Sequence, residues 1–175
     1  MASSPCPAPD PAARDTAARA PVYALLDNVR SVWNVGSIFR TADAVRLDGL
    51  YLCGMTATPP RPDIEKTALG ATLTVPWDYW PDPAEAVRHL REAGVRIVAL
   101  EQTGRSLPYT EAGYEGPLCF VVGHEVDGVS EGVLALADEC VEIPMDGAKH
   151  SLNVAVSFGV LAYEIRRHRR GGEAP

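Results

Sequence analysis

The chain has 175 residues, 46% of them hydrophobic, which suffices for one well-buried core and falls short of two comfortable ones. A formal charge of −7 excludes a protein that grips nucleic acid with its whole surface, because such affinity comes from Lys and Arg neutralising phosphates. Any RNA contact has to be a local, salt-sensitive patch.

Residues 1–20 are rich in Ala and Pro with little to bury, and are expected to form a disordered lead-in to a single domain over 21–170. From Pro21 onward short apolar runs alternate with helical patterns. Strands are predicted at 22–26, 50–53, 95–100, 118–122 and 140–143. Helices are predicted at 35–45, 64–69, 83–93 (closed by Gly94), 131–137 and 152–167. The closing G-G-E-A-P, 171–175, reads as a flexible end. No apolar run approaches the roughly 18 residues of a membrane span, and no basic segment leads into an apolar stretch, so a cytoplasmic location is expected. Cys6, Cys53, Cys119 and Cys140 lack C-x-x-C spacing and are expected to be free thiols, the last three buried in or beside strands.

Strands that are apolar throughout and separated by helices imply a parallel sheet with helices on both faces. In such sheets a ligand sits beyond the carboxyl ends of the strands. That rule directs attention to the segments after Leu26, Leu100, Val122 and Ile143.

Three segments there carry unusual residues. The first, N-V-G-S-I-F-R (34–40), opens a helix: Gly36 permits close backbone approach where free N–H groups favour an anion, and Arg40 offers a planar donor fork. An ordinary cap at Asn34 with a solvated Arg40 is the plainer alternative. The second, V-V-G-H-E-V-D-G-V-S (121–130), places Glu125 between Gly123 and Gly128, either as a simple turn or as a carboxylate facing a cleft. His124 has no companion at metal-ligand spacing, so no metal is expected. The third, I-P-M-D-G-A-K-H-S-L-N-V-A-V-S (143–157), holds a polar loop between two apolar elements, with Ser151 placed to cap the last helix and Asn153 in its first turn. A dinucleotide-binding G-x-G-x-x-G, a G-x-x-x-x-G-K-[ST] phosphate loop and a G-x-S-x-G nucleophile elbow are all absent.

In this order the three segments resemble the signature motifs of the SpoU branch of the SPOUT RNA methyltransferases. The matching residues are N-x-G-x-x-x-R followed by T-A-D-A (41–44), G-x-E-x-x-G-V-S (123–130), and I-P-M-x-G (143–147) with S-L-N-V-A-V-S (151–157). V-A-L-E (98–101) and K-T-A-L-G-A (66–71) are similar to compact members of the group. The resemblance implies a SPOUT fold whose C-terminal part is threaded into a deep trefoil knot, an exception to the general absence of knots. It also implies S-adenosylmethionine as cofactor, held around Leu100, Glu101, Gly123, Ile143, Met145 and Leu152. RNA is the implied substrate, tRNA or rRNA, and the first and last helices pack across a homodimer interface, so that Arg40 serves a site shared between subunits.

For ribose 2′-O-methylation, the resemblance gives Arg40, Asn34, Glu125, Ser151 and Asn153 the catalytic roles. A guanidinium with a pKa above about 12 is an awkward base, so Arg40 is expected mainly to fix the target phosphate. Asn34, Ser151 and Asn153 are expected to orient ribose and loops, and Glu125 to position the nucleotide or Arg40. A base methyltransferase on a related scaffold and an RNA-binding module without catalysis are the competing readings. The basic end 166–170 either adds RNA affinity or complements the helix dipole, and Trp33 either stacks on a base or packs at an interface. With no separate N-terminal RNA-binding domain evident, target choice is expected to come from the dimer surface and loops.

Overall fold

The computed structural model describes residues 20–170; the expected lead-in before Ala20, with Cys6, and the expected flexible end lie outside the described residues. The elements are β1 (Val22–Asp27), α1 (Val32–Val45), β2 (Gly49–Cys53), α2 (Pro62–Ala68), β3 (Trp77–Trp80), α3 (Pro83–Glu92), β4 (Arg96–Leu100), β5 (Leu107–Pro108), β6 (Leu118–Val122), α4 (Glu131–Leu134), β7 (Glu139–Glu142) and α5 (Val154–Arg170). Every strand pairing is parallel, in the order β3-β2-β1-β6-β4-β7-β5.

Alternate side chains along the central strands point to opposite faces, and both faces are apolar. One side of the sheet, carrying Ala24, Leu26, Leu50, Leu52, Phe120 and Val122, packs on Ile38 and Phe39 of α1, Ile64 of α2, and Phe158 and Leu161 of α5. The other, carrying Tyr23, Leu25, Tyr51, Ile97, Cys119 and Val121, packs on Val87 and Leu90 of α3 and Val133 of α4. Each Val, Leu, Ile or Phe among them contributes roughly 1.5–3 kcal/mol when fully buried. Cys53 and Cys119 are buried and Cys140 is half-buried, and none of the three is in a disulfide. Burial, reinforced by Asp27, Asp82 and Asp78 nearby, pushes the Cys53 thiol far up, so it stays neutral.

Two strands escaped the sequence reading. β3 is an edge strand whose residues are half-buried or exposed, so it lacks the continuous apolar run that marks the central strands. β5 is two residues long and contains a proline, tolerable only at an edge. Helix starts also moved. Ser31, not Asn34, caps α1, accepting from the Asn34 N–H at 3.4 Å. Gly36 is not an anion seat: it is buried against α2, where an added Cβ would lie 2.0 Å from Thr67 Oγ1 and 2.3 Å from the Ile64 carbonyl oxygen.

Three arginines at the basic end of α5 are hydrogen-bonded within the chain. Arg166 donates to the Val45 carbonyl at 2.9 Å, Arg167 to Glu164 at 2.6 and 2.8 Å, and Arg169 to the carbonyls of Tyr114, Gly116 and Ala20. The Arg169 bonds tie the last helix to the loop before β6 and to the chain entering β1, and the Arg166 bond ties it to α1. No helix of the described residues is long and apolar enough to cross a membrane.

Candidate functional site

A cleft of about 310 Å³ opens at the carboxyl ends of β4, β6 and β7. The third motif reaches it through a loop of mostly exposed residues, 144–153, that ends at α5. Ser151 does not cap that helix. Asn153 does, its Oδ1 accepting from the Ala155 and Val156 amides at 2.9 and 3.4 Å, which leaves Ser151 exposed on the cleft wall.

The capping Asn153 also turns its amide outward. Its Nδ2 donates to Asn34 Oδ1 at 3.1 Å, and Asn34 Nδ2 donates in turn to Glu125 Oε1 at 2.9 Å. One side chain from each motif therefore lies on a single run of hydrogen bonds, although the outer two are 28 positions apart and the inner one precedes them by 91 and 119. Glu125 accepts further from the amides of Ser31, on Oε1, and Arg30, on Oε2, each at 2.9 Å. Partial burial works to raise its pKa. The hydrogen bonds from Arg30, Ser31 and Asn34 outweigh that and hold the carboxyl below its usual range. Glu125 thus clamps the entrance of α1; its partners are Arg30, Ser31 and Asn34, whereas the expectation had it positioning a nucleotide or Arg40.

The loop that presents Glu125 is folded tightly. His124 and Gly128 exchange backbone bonds at 2.9 and 3.0 Å, and an added Cβ at Gly123 would lie 2.1 to 2.2 Å from Gly128 and the Val129 amide. Gly128 has φ +73°, where glycine carries no steric cost. His124 Nδ1 accepts from the Val126 and Asp127 amides at 3.2 and 3.1 Å, so that nitrogen serves the turn. Among the described residues no group of three His, Cys, Asp or Glu is arranged to hold a metal ion.

Leu100, Glu101, Gly123, Ile143, Met145 and Leu152, the six residues expected around the cofactor, all line this cleft, as do Glu125, Ser151 and Asn153. Asn34 touches it through Glu125 and Asn153. Arg40 is the exception within one chain. It is exposed on α1, in a separate shallow groove with Ser37, Thr41, Ala44, Lys66, Thr67 and Tyr163. Trp33, 48% exposed, has Lys66 Nζ 5.3 Å above its ring.

Sequence reasoning missed Asp27 altogether, and placed Glu101 beside the cofactor without foreseeing what its carboxylate holds. Asp27, wholly buried at the end of β1, accepts from the Ser130 amide at 2.8 Å, and the Glu101 side chain accepts from the Val129 amide at 2.8 Å. The signal was present in L-L-D (25–27) and A-L-E (99–101): an acidic residue closing a buried strand needs a donor nearby.

Residues 21–163 match the model of the SpoU rRNA Methylase family. The chain is similar to the tRNA (guanosine(18)-2′-O)-methyltransferase of Thermus thermophilus, 37% identical over 145 residues that cover 83% of this chain and 74% of that one. It is also similar to the 23S rRNA (guanosine-2′-O-)-methyltransferase RlmB of Vibrio vulnificus, 34% identical over 149 residues, 85% of this chain and 60% of that one. Among solved structures, the SpoU methyltransferase AviRb from Streptomyces viridochromogenes in complex with AdoMet superposes with a TM-score of 0.81 at 30% identity, covering 95% of this chain and 67% of that one. The chain thus spans between three fifths and three quarters of the length of these relatives.

Proposed function

The chain belongs to the SpoU rRNA methylase family, and on that premise we propose that it transfers a methyl group from S-adenosylmethionine to the ribose 2′-hydroxyl of a tRNA or rRNA nucleotide. The observation that carries this reading is the run Glu125–Asn34–Asn153, which joins all three motifs at the rim of one cleft. The cleft suits the cofactor. Leu100, Ile143, Met145 and Leu152 give it apolar walls for a flat purine, and Gly123 lines it without a side chain. When bound there, the cofactor supplies an electrophilic methyl group on a sulfonium.

The rest of the chemistry falls to the protein. A ribose hydroxyl is a poor nucleophile until its proton is leaving, and in-line attack requires alignment. Asn34, Ser151 and Asn153 present amides and a hydroxyl that orient the ribose. Glu125 is not the base, because both of its oxygens are taken and its pKa is depressed. Arg40 holds the target phosphate and, by its charge, eases the loss of the hydroxyl proton.

Arg40 reaches a cleft only if a second subunit brings it there, so we place the working site in a homodimer. Trp33 of α1 with Val156 and Tyr163 of α5 leaves apolar surface 48%, 51% and 54% exposed, and Tyr163 shares the Arg40 groove; this supports α1 and α5 as the contact. The position of β7 between β4 and β5, with segment 101–106 crossing from one to the other, supports the C-terminal knot. Both RNA classes are cytoplasmic, which is where we place the enzyme.

Incubation with labelled S-adenosylmethionine and total tRNA or total rRNA tests the proposal. Label is expected on one RNA class, and no transfer to either would refute it.

A further inference from the structure

The sheet order sets β6 between β1 and β4, and both neighbours end in a carboxylate. Asp27 is the last residue of β1; Glu101 follows the last residue of β4. Each reaches toward the chain leaving β6, and they take consecutive amide protons there: Val129 N–H to Glu101 Oε2 and Ser130 N–H to Asp27 Oδ2, both at 2.8 Å. The second oxygens are fixed as well, Glu101 Oε1 by the Gln102 amide at 3.0 Å and Asp27 Oδ1 by Asn28 Nδ2 at 2.7 Å.

Such a grip leaves the loop little freedom. Val129 is buried, Gly128 lies so close to Glu101 that a Cβ would sit 2.2 Å from Oε2, and Gly128 closes the turn back onto His124 and Gly123. Residues 125–127, between the bridged His124 and Gly128, are exposed, and Glu125 is among them. We propose that Asp27 and Glu101 are positioning residues: a two-carboxylate clamp on the Val129 and Ser130 amides that aims Glu125 at Arg30, Ser31 and Asn34. In its catalytic consequence, though not in its geometry, this rests on the methyl-transfer reading above.

Charge-assisted bonds of this kind are about twice as strong as neutral ones, and their loss frees the donor to exchange. Glu101→Gln keeps the shape of the side chain and removes the charge. In the full chain without cofactor, amide exchange followed by NMR should quicken at Val129 by roughly tenfold or more, with the β6 amides unchanged. Asp27→Asn should do the same at Ser130; since Asp27 is buried and that variant risks unfolding, Glu101→Gln carries the decision. Unchanged exchange at Val129 in Glu101→Gln overturns the clamp.

A kinetic cycle separates aiming from mere support. If Glu101 acts through Glu125, kcat in Glu101→Gln falls by roughly tenfold or more, and the double variant with Glu125→Gln is no slower than Glu125→Gln alone. Losses that multiply would overturn the positioning role. Should the wild-type chain transfer no methyl group, the functional proposal fails, while the exchange experiment still decides the clamp.

Discussion

Glu125 divides its two oxygens among two main-chain amides and one side-chain amide, and a carboxylate in that position is an anchor whose value depends on its charge. Its pKa is lower in the folded protein than in the unfolded chain. Its stabilising contribution is therefore complete above the ordinary carboxyl value of 4.5 and is lost as pH falls through the folded value. In urea titrations the wild-type chain should exceed Glu125→Gln in stability near neutral pH, and the gap should close as the pH falls below the ordinary carboxyl value and through the lower folded one. A gap independent of pH would mean that the charge contributes nothing. Gly123 answers to a different constraint: Gly123→Ala drives a methyl group into main chain at 2.1 Å, so the Glu125 loop has to open. The expected outcome is loss of cofactor binding by calorimetry, with the fold retained by circular dichroism.

At the scale of elements, the same side chain often serves a helix and the site at once. Asn153 caps α5 and donates to Asn34, and these two jobs can be separated by substitution. Asn153→Ala should cost about 1 kcal/mol of stability and also turnover; Asn153→Ser should restore most of the cap and leave turnover low. Recovery of both in the Ser variant would assign Asn153 to the helix alone. Gly36 shows how a motif residue can be read for the wrong reason. Its place in N-x-G was legible, but its purpose, contact between α1 and α2, needed the third dimension. Gly36→Ala is expected to lower stability by about 1–3 kcal/mol through overpacking, visible as a shifted urea midpoint. The five apolar strands and five helices were legible because burial on both faces writes itself into continuous hydrophobic runs. β3 and β5 were not, since edges are free of that demand. Ser31 and Asn153 replaced Asn34 and Ser151 as caps because several Asn and Ser residues compete within a few positions, and only the backbone path chooses among them. The hydrogen-bond roles of Asp27 and of Glu101, the latter expected only beside the cofactor, went unread for a related reason: their partners are 103 and 28 residues away.

For the whole molecule, the placement of Arg40 is what the proposed homodimer has to explain. Nine of the expected site residues line one cleft, seven of them from the second and third motifs, and Asn34 of the first is hydrogen-bonded to two of these; Arg40 lies in another groove, which the proposed homodimer would reconcile with the cleft. If sites are shared, mixing unfolded Arg40→Ala and Glu125→Gln chains and refolding them together should recover on the order of a quarter of wild-type activity, from mixed dimers that each own one intact site. No recovery would place the whole site within one subunit. The net charge of −7 adds a constraint on the substrate, because RNA has to be held by a local patch against a repulsive field. The most direct test of the account is mass spectrometry of nucleosides from RNA incubated with S-adenosylmethionine and either the wild-type chain or Arg40→Ala. The account predicts a 2′-O-methylated ribonucleoside from the wild-type chain and none from Arg40→Ala, which still binds the cofactor. Methyl groups on a base, or an Arg40→Ala variant that methylates at the wild-type rate, would contradict it.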